Sequence, residues 1–586
     1  MIIENIHGPQ DVKELPQEEL PMLAQEIRSA LLTRGSVHGG HFGPNFGFVE
    51  ATIALHRVFN SPVDKIVYDV SHQSYPHKML TGRAQAYLDP DHYDDVSGYT
   101  NPAESEHDFF EVGHTSTSIS LALGLAKARD LAGGKENIIA VIGDGSLSGG
   151  EALEGLDVAG ELTSNFIIVF NDNQMSIAEN HGGMYDEFTR LRESHGTDGH
   201  NVFRAMGLDY IYVEEGNTID SLIEIFETVR DIDHPIVVHL NTKKGKGYGP
   251  AEADPEHWHW ASPFNVVTGE QRSYSGESYG ALMGDHLEKI AQFDKKLLVV
   301  SSAVPGMIGM NPERRQRMGI QYIDVGIAEE TAAALISGAA KGGAHPVWAS
   351  SATFIQRAYD QMFQDISING NAATILAGNG SVFGGNDVTH CALSSIAMVS
   401  SIPGMKHLVP SNAEEYLAMV DWAIKQDEEP VYITIPAGPV VHASEDQRVR
   451  TDYSKLAWEL VHEGSRVALI AVGDFFGIGQ KTIEKIAGVG IDATLVKPLF
   501  ASGLDTATLD ALAQTHDVIL TIEDGIADGG FGQRVSAYLG ADTTTKVLVR
   551  GFERKFYDRF KPSDLLEEAR ITPEKLTEDV LAVLED

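Results

Sequence analysis

The chain has one cysteine among 586 residues, so it forms no internal disulfide, and its opening residues lack the basic and apolar segments of a secretory leader. A reducing, cytoplasmic location is therefore expected. No run of about 18 apolar residues occurs, which excludes a membrane-spanning helix. Positive charge is also scarce: 44 Lys and Arg against 84 Asp and Glu leave a net charge of −40, which would repel nucleic acid and anionic membranes. Any anionic ligand must be gathered by a local device. The composition, 42% hydrophobic and 22% charged, is that of ordinary globular domains, and the length calls for about two to four of them.

Apolar runs alternate with helical periodicity, the pattern of parallel sheets covered by helices. Three α/β blocks follow. The first, 1–265, holds a helix over 118–131, a strand over 137–142, a glycine-rich turn, a helix over 150–162 and a strand over 166–171. The segment 245–263, rich in Gly, Pro, His and Trp, reads as an ordered connecting loop. The second block, 273–444, has strands near 296–300, 373–377 and 430–435 and an amphipathic helix over 413–425. A polar linker at 445–453 leads to the third, 454–586, with strands near 466–472, 492–496, 517–522 and 546–549.

The most informative stretch is Gly143-Asp144-Gly145-Ser146, followed after a helix and a strand by Asn171-Asp172-Asn173. Alone, Gly-Asp-Gly usually marks no more than a strand-ending turn. Here Asp144 and Asn173 end adjacent strands of one βαβ unit, where ligands of open parallel sheets bind. A carboxylate and an amide oxygen suit a hard divalent cation such as Mg²⁺. Glycines and a helix N-terminus beside them suit a diphosphate.

This pattern resembles the cofactor signature of the thiamine-diphosphate-dependent transketolase superfamily, and the flanking sequence is similar to the 1-deoxy-D-xylulose-5-phosphate synthases. The shared stretches are Gly39-Gly40-His41, the run Asp69 to Lys78, Gly113-His114-Thr115-Ser116, Asn173-Gln174-Met175-Ser176-Ile177 and Lys244-Gly245-Lys246-Gly247-Tyr248. The second block adds Ile327-Ala328-Glu329-Glu330 and the run Thr353 to Gln361, and the third Lys497-Pro498-Leu499 and Ile522-Glu523-Asp524.

The resemblance implies a transketolase-like fold of diphosphate-binding, pyrimidine-binding and C-terminal domains, thiamine diphosphate and Mg²⁺ as cofactors, a homodimer, and a role in isoprene biosynthesis. Glu329 takes the position of the glutamate that activates the aminopyrimidine, and Phe354 that of the ring stacked on it. Asp144, Asn173 and the Met175 carbonyl would hold the metal. His72, Gly113, His114, Thr115, Gly145, Ser146, Ile177 and Tyr248 would contact the cofactor with Asn173. His41, His72, His259 and His390 would serve proton transfer, His41 and His72 first among them. Cys391, beside His390, reads as a buried spectator.

Several positions depart from the family. Asn379 stands where an arginine holds the acceptor phosphate, Asn386 where an aspartate does, and Ala437 in Thr434-Ile435-Pro436-Ala437-Gly438 where a second arginine is expected. Ser351 replaces a tyrosine and Thr331 a histidine, and the segment 180–201 is short for the lid it resembles. Each lost Arg–phosphate contact forfeits roughly 1.5–3 kcal/mol, so two would weaken phosphate binding by about two to four orders of magnitude. Either the acceptor carries no phosphate there, or cations such as Arg357 or Lys246 have taken over. The expected activity is decarboxylation of pyruvate, a 2-oxo acid donor, and carboligation to an aldehyde acceptor. The competing expectations are ketol transfer from a ketose donor and a catalytically idle cofactor-binding protein.

Overall fold

The computed structural model describes residues 1–272, 276–445, 447–540 and 544–585. The expected start of the second block at 273, linker residue 446 and the last residue, 586, lie outside them. The chain divides into two compact units, Met1–Tyr274 with Gly326–Ala328, and Ser275–Val325 with Glu329–Asp586. Among the described residues no helix is long and apolar enough to cross a membrane.

The first unit is built on a five-stranded parallel sheet. Its strands are β1 (Lys65–Tyr68), β2 (Ile138–Gly143), β3 (Phe166–Asp172), β4 (Asp209–Val213) and β5 (Pro235–Asn241), in the order β1-β2-β3-β5-β4. The uninterrupted apolar runs of β2 and β3 follow from burial of both faces. Ile138, Ala140, Ile142, Ile168 and Phe170 enter one core with helices α1 (Ser118–Ala132) and α2 (Gly150–Ala159). Ile139, Val141, Ile167 and Val169 alternate into another, against Leu222 and Phe226.

The segment 245–263 is more than a connection. It contains a short helix, Gly249–Ala253, and a two-residue strand, Trp260–Ala261, that pairs antiparallel with Gly40–His41. A two-residue strand is too short to leave a period in the sequence. The pairing brings His259 back to His41.

The second unit contains two sheets. One is parallel and six-stranded: β6 (Leu297–Ser301), β7 (Tyr322–Asp324), β8 (His345–Ser351), β9 (Thr374–Gly378), β10 (Lys406–Leu408) and β11 (Val431–Thr434), ordered β10-β11-β9-β8-β6-β7. The other has β12 (Glu459–His462), β13 (Arg466–Ala471), β14 (Thr494–Lys497), β15 (His516–Ile526) and β16 (Lys546–Phe552), ordered β12-β14-β13-β15-β16 with β12 antiparallel.

The helix Ala413–Lys425 forms as its periodicity predicts. Tyr416, Met419, Val420 and Ala423 are buried on one face, and the Asn412 side chain caps it by accepting from the Glu415 N–H at 2.9 Å. The third-block motifs act in packing. Lys497 donates to Glu415 at 2.5 Å between two buried side chains, and Glu523 accepts from the N–H groups of Phe531 and Gly532 at the start of a helix.

Candidate functional site

In the first unit, the segments after β1, β2, β3 and β5 gather at the carboxyl edge of the sheet. Asp144, directly after β2, is 2% exposed. Its Oδ2 accepts from Asn180 Nδ2 at 2.7 Å, and its carbonyl accepts from the Tyr185 hydroxyl at 3.3 Å. Burial, then repulsion from Asp172, pushes the carboxyl up to about 7. Asp172 ends β3 and differs in its partners. Burial raises it too, but His239 Nε2 at 2.9 Å and the Arg192 guanidinium outweigh that and hold it below the usual carboxylate range. His239 in turn meets the Tyr210 hydroxyl at 2.7 Å.

Of the two buried acids, Asp172 has the Arg192 guanidinium bonded to it, whereas Asp144 is hydrogen-bonded by neutral groups and has Lys244 only as a nearby charge that does not offset its burial. A buried carboxylate of that kind fits a divalent cation, which removes the penalty that raises it. Asn173 and Met175 lie in the turn after β3, where the Met175 N–H donates to Asn173 Oδ1 at 3.2 Å. Gln174 between them has φ +66°, and Lys244 Nζ holds the Ser176 carbonyl at 2.5 Å. Ile177, next in the turn, is partly exposed.

The segment 180–201 is ordered around a helix and packs onto two buried carboxylates. Residues 184–193 fold as helix α3 (Met184–Glu193), and Asn180, Tyr185 and Arg192 bond to Asp144 and Asp172 as above. The short segment braces the carboxylates of Asp144 and Asp172.

The glycines of the turn answer to close packing. A Cβ on Gly149 would lie 2.0 Å from Ser116 Oγ, which donates to the Ser146 carbonyl at 2.7 Å, and one on Gly145 would lie 3.0 Å from the Ser176 side chain. Asp69, buried at the end of β1, ties down the segment carrying Gly113, His114 and Thr115 by accepting from Ser116 N at 2.8 Å and Ser118 N at 2.9 Å. Val70 and Ser71 follow with φ +56° and +61°. A β-branched residue there is a strained one, at about 1–3 kcal/mol. The strain is held by Ser71 Oγ, which donates to the Val112 carbonyl at 2.5 Å and accepts from Thr100 N at 2.8 Å, and it sets the path into His72.

Three of the expected histidines converge. The rings of His41 and His72 are 5.0 Å apart, His72 and His259 5.1 Å, and His41 and His259 5.8 Å. Burial, and then Lys244 and the other two histidines, hold buried His259 well below the ordinary imidazole range, so it is neutral. Lys244 is pushed down to about 8 by burial. Tyr248 backs this cluster: its ring packs on Phe42, Trp258 and Phe264, and its hydroxyl donates to the Val266 carbonyl at 3.1 Å.

Asn45, outside every motif noted in the sequence, fixes the histidine segments. Its Nδ2 donates to the carbonyls of His41 at 3.0 Å and His72 at 2.7 Å, and its Oδ1 accepts from Tyr75 N at 2.9 Å. The signal was a lone amide among the apolar residues 42–48, a polar group that needs partners if buried. Asn45→Ala is expected to destabilise the first unit by about 3 kcal/mol, because three backbone groups lose their partner. Urea unfolding measures it, and a loss below about 1 kcal/mol contradicts this role.

In the second unit, Glu329 opens helix α4 (Glu329–Lys341) and is 3% exposed. Its Oε2 is buried with no hydrogen-bond partner among the described residues, and Arg357 Nη1 approaches only to 3.7 Å. Burial pushes the carboxyl up to about 7, although Arg357 offsets part of the rise. An unsatisfied buried oxygen costs about 1–3 kcal/mol, and a ligand that hydrogen-bonds it recovers that cost. The protonated aminopyrimidine ring nitrogen of thiamine diphosphate is such a ligand, so the residues present fit the cofactor.

Phe354 lies just beyond the end of β8, its ring 5.4 Å from His390 in an edge-on arrangement. His390 Nδ1 bonds Asp387 Oδ1 at 3.0 Å and Thr389 Oγ1 at 2.9 Å. Burial raises Asp387, but that hydrogen bond prevails and holds its carboxyl down, at about 2. Cys391 is half-buried and its thiol is pushed up to about 12 by burial, which leaves no thiolate near neutrality. Asn379 follows β9 with φ +58° and donates from Nδ2 to Ser351 Oγ at 3.5 Å. Neither alternative cation stands free: Arg357 faces Glu329, while Lys246 Nζ donates to the Asn217 carbonyl at 2.8 Å and pairs with Glu50.

Residues 3–201 match the family model for 1-deoxy-D-xylulose-5-phosphate synthase, 276–440 the transketolase pyrimidine-binding domain and 456–576 the transketolase C-terminal domain. The chain is 36% identical to 1-deoxy-D-xylulose-5-phosphate synthase 1 of Geobacter sulfurreducens over 94% of this chain and 92% of the relative. It is 35% identical to the 1-deoxy-D-xylulose-5-phosphate synthase of Symbiobacterium thermophilum over 100% of this chain and 95% of that one.

Proposed function

Because the chain belongs to the 1-deoxy-D-xylulose-5-phosphate synthase family, we propose that it is a thiamine-diphosphate- and Mg²⁺-dependent transferase that decarboxylates pyruvate and joins the remaining two carbons to an aldehyde. The observation that carries this reading is the buried Oε2 of Glu329, which faces Arg357 at 3.7 Å but has no hydrogen-bond partner among the described residues. Thiamine diphosphate held by the site residues would supply carbanion chemistry toward the donor carbonyl. Glu329 would hold the aminopyrimidine ring nitrogen and promote the tautomer that accepts the thiazolium proton. Phe354 would stack on the ring.

In the first unit, Asp144, Asn173 and the Met175 carbonyl would hold Mg²⁺ against the diphosphate. Gly113, His114, Thr115, Gly145, Ser146 and Ile177 would line it, with Tyr248 supporting the wall. The net reaction takes up one proton for each carbon dioxide released, as the new carbonyl-bearing product gains a hydroxyl where the aldehyde oxygen was. His41, His72, His259 and His390 are the groups assigned to that proton. Among them His259, held neutral by burial and by Lys244, His72 and His41, is suited to hydrogen bonding more than to carrying the proton.

We assign residues 1–265 to a diphosphate-binding domain, 273–444 to a pyrimidine-binding domain and 454–586 to the C-terminal domain. A homodimer in the cytoplasm is part of the same reading. The test uses the purified chain with thiamine diphosphate, Mg²⁺ and carboxyl-labelled pyruvate. Labelled carbon dioxide released with aldehyde present, together with a new hydroxyketone, is the expected result. Turnover of ketose donors without any release from pyruvate would replace the reading with ketol transfer.

A further inference from the structure

Within the second unit, a cavity of about 250 Å³ opens at the carboxyl edge of the six-stranded sheet. It lies between the end of β9, where Asn379 follows Gly378, and the segment after β11, which carries Ala437 and Gly438. Tyr279, Met307 and Phe383 complete its walls. Gly378 leaves room for the Met307 thioether: a Cβ there would lie 2.1 Å from its sulfur. β8, which ends at Ser351 three residues before Phe354, is the neighbour of β9, and the Asn379 amide reaches Ser351 Oγ at 3.5 Å. The cavity therefore adjoins the part of the sheet that presents Phe354.

No described side chain lining the cavity is charged. Two buried acids lie behind its walls, and the nearby His407, which bonds Thr434, is held neutral by burial. Asp474 Oδ2 accepts from Ala437 N at 3.0 Å, and Asp524 accepts from Val382 N at 2.9 Å and from the Ser381 hydroxyl. Burial, then repulsion from Asp524, pushes Asp474 up to about 8, and burial pushes Asp524 up to about 7. Surroundings that resist a carboxylate resist a phosphate dianion as well. The available recognition groups are one amide, one hydroxyl, main-chain groups and apolar surface. That set binds a small ligand with hydroxyl or alkyl substituents.

We propose that this cavity receives the acceptor and selects an uncharged, short-chain aldehyde over its phosphorylated counterpart. The proposal rests on the carboligase reading above and names its second substrate. Asn379 supplies the hydrogen bond to a chain hydroxyl, while Met307, Phe383 and Ala437 cover the carbon skeleton.

The experiment compares D-glyceraldehyde with D-glyceraldehyde 3-phosphate in the holoenzyme with labelled pyruvate, following carbon dioxide and product. We expect kcat/KM for glyceraldehyde to exceed that for the phosphorylated aldehyde by about 10-fold or more, since the phosphate loses its hydration without gaining a countercharge. A smaller ratio, or a preference for the phosphorylated aldehyde, overturns the proposal and leaves the carboligase reading standing. No carbon dioxide with either aldehyde overturns both. Ala437→Arg, shown to be folded by circular dichroism, is expected to shift the ratio toward the phosphorylated aldehyde by at least about 10-fold. An unchanged ratio in that variant means the acceptor does not lie in this cavity.

Discussion

Glu329→Gln is expected to lower kcat for pyruvate decarboxylation by about 10²–10⁴-fold, the range over which a positioned acid–base group acts. The side chain keeps its size but loses the carboxylate that would hold the protonated pyrimidine nitrogen. Cofactor affinity should change far less than kcat, because Glu329 is one contact among many. The same substitution has an opposite effect on the stability of the cofactor-free chain. Burial raises the folded-state carboxyl from 4.5 to about 7, so the folded state favours the neutral acid. Stability from that preference is complete below about pH 4.5 and is lost as the pH rises through about 7. Cofactor-free Glu329→Gln should therefore melt at a higher temperature than the unmodified chain at pH 8, with the gap narrowing at pH 5. Lower activity together with lower stability at pH 8 would mark Glu329 as a packing residue.

The second large effect concerns the metal. Asp144→Ala is expected to weaken Mg²⁺-dependent binding of thiamine diphosphate by about 100-fold or more, since it removes the one carboxylate proposed to ligate the ion. Asn180→Ala removes only the amide that orients it and should cost about 10-fold. Titration of protein fluorescence with cofactor at fixed Mg²⁺ measures both. If the two variants bind equally well, the ion is held elsewhere. The difference between them also tests the altered segment 180–201, because a loose lid would leave Asn180→Ala without effect on metal dependence.

The parts of the fold legible in the sequence were those with a sustained period. The β2–α2–β3 unit and the helix Ala413–Lys425 stand within a few residues of where apolar spacing put them. Short or non-local elements were hidden. Trp260–Ala261 is a strand only because Gly40–His41 lies beside it, and β7 has three residues. The site divides in the same way. Asp144, Glu329 and the histidines could be singled out by motif, because chemistry fixes residue type at those positions. Asn45 and Asn180 could not, since each matters through backbone and side-chain partners that only the folded chain brings within 3.0 Å.

Asn379 and Ala437 show a third case. The sequence revealed that two expected cations were absent, but not what replaced them. The structure adds that Arg357 and Lys246 are committed to other partners and that the walls between β9 and β11 are neutral. Absence in a motif became the chemical character of a cavity.

The most direct test of the central claim, that the buried Glu329 carboxyl activates thiamine diphosphate, is the rate at which the bound cofactor exchanges its thiazolium proton for deuterium. Quenched-flow exchange read by NMR should show the protein accelerating exchange by about 10²-fold or more over free cofactor, and Glu329→Gln losing that acceleration. Equal exchange in the unmodified chain and in Glu329→Gln would contradict the account.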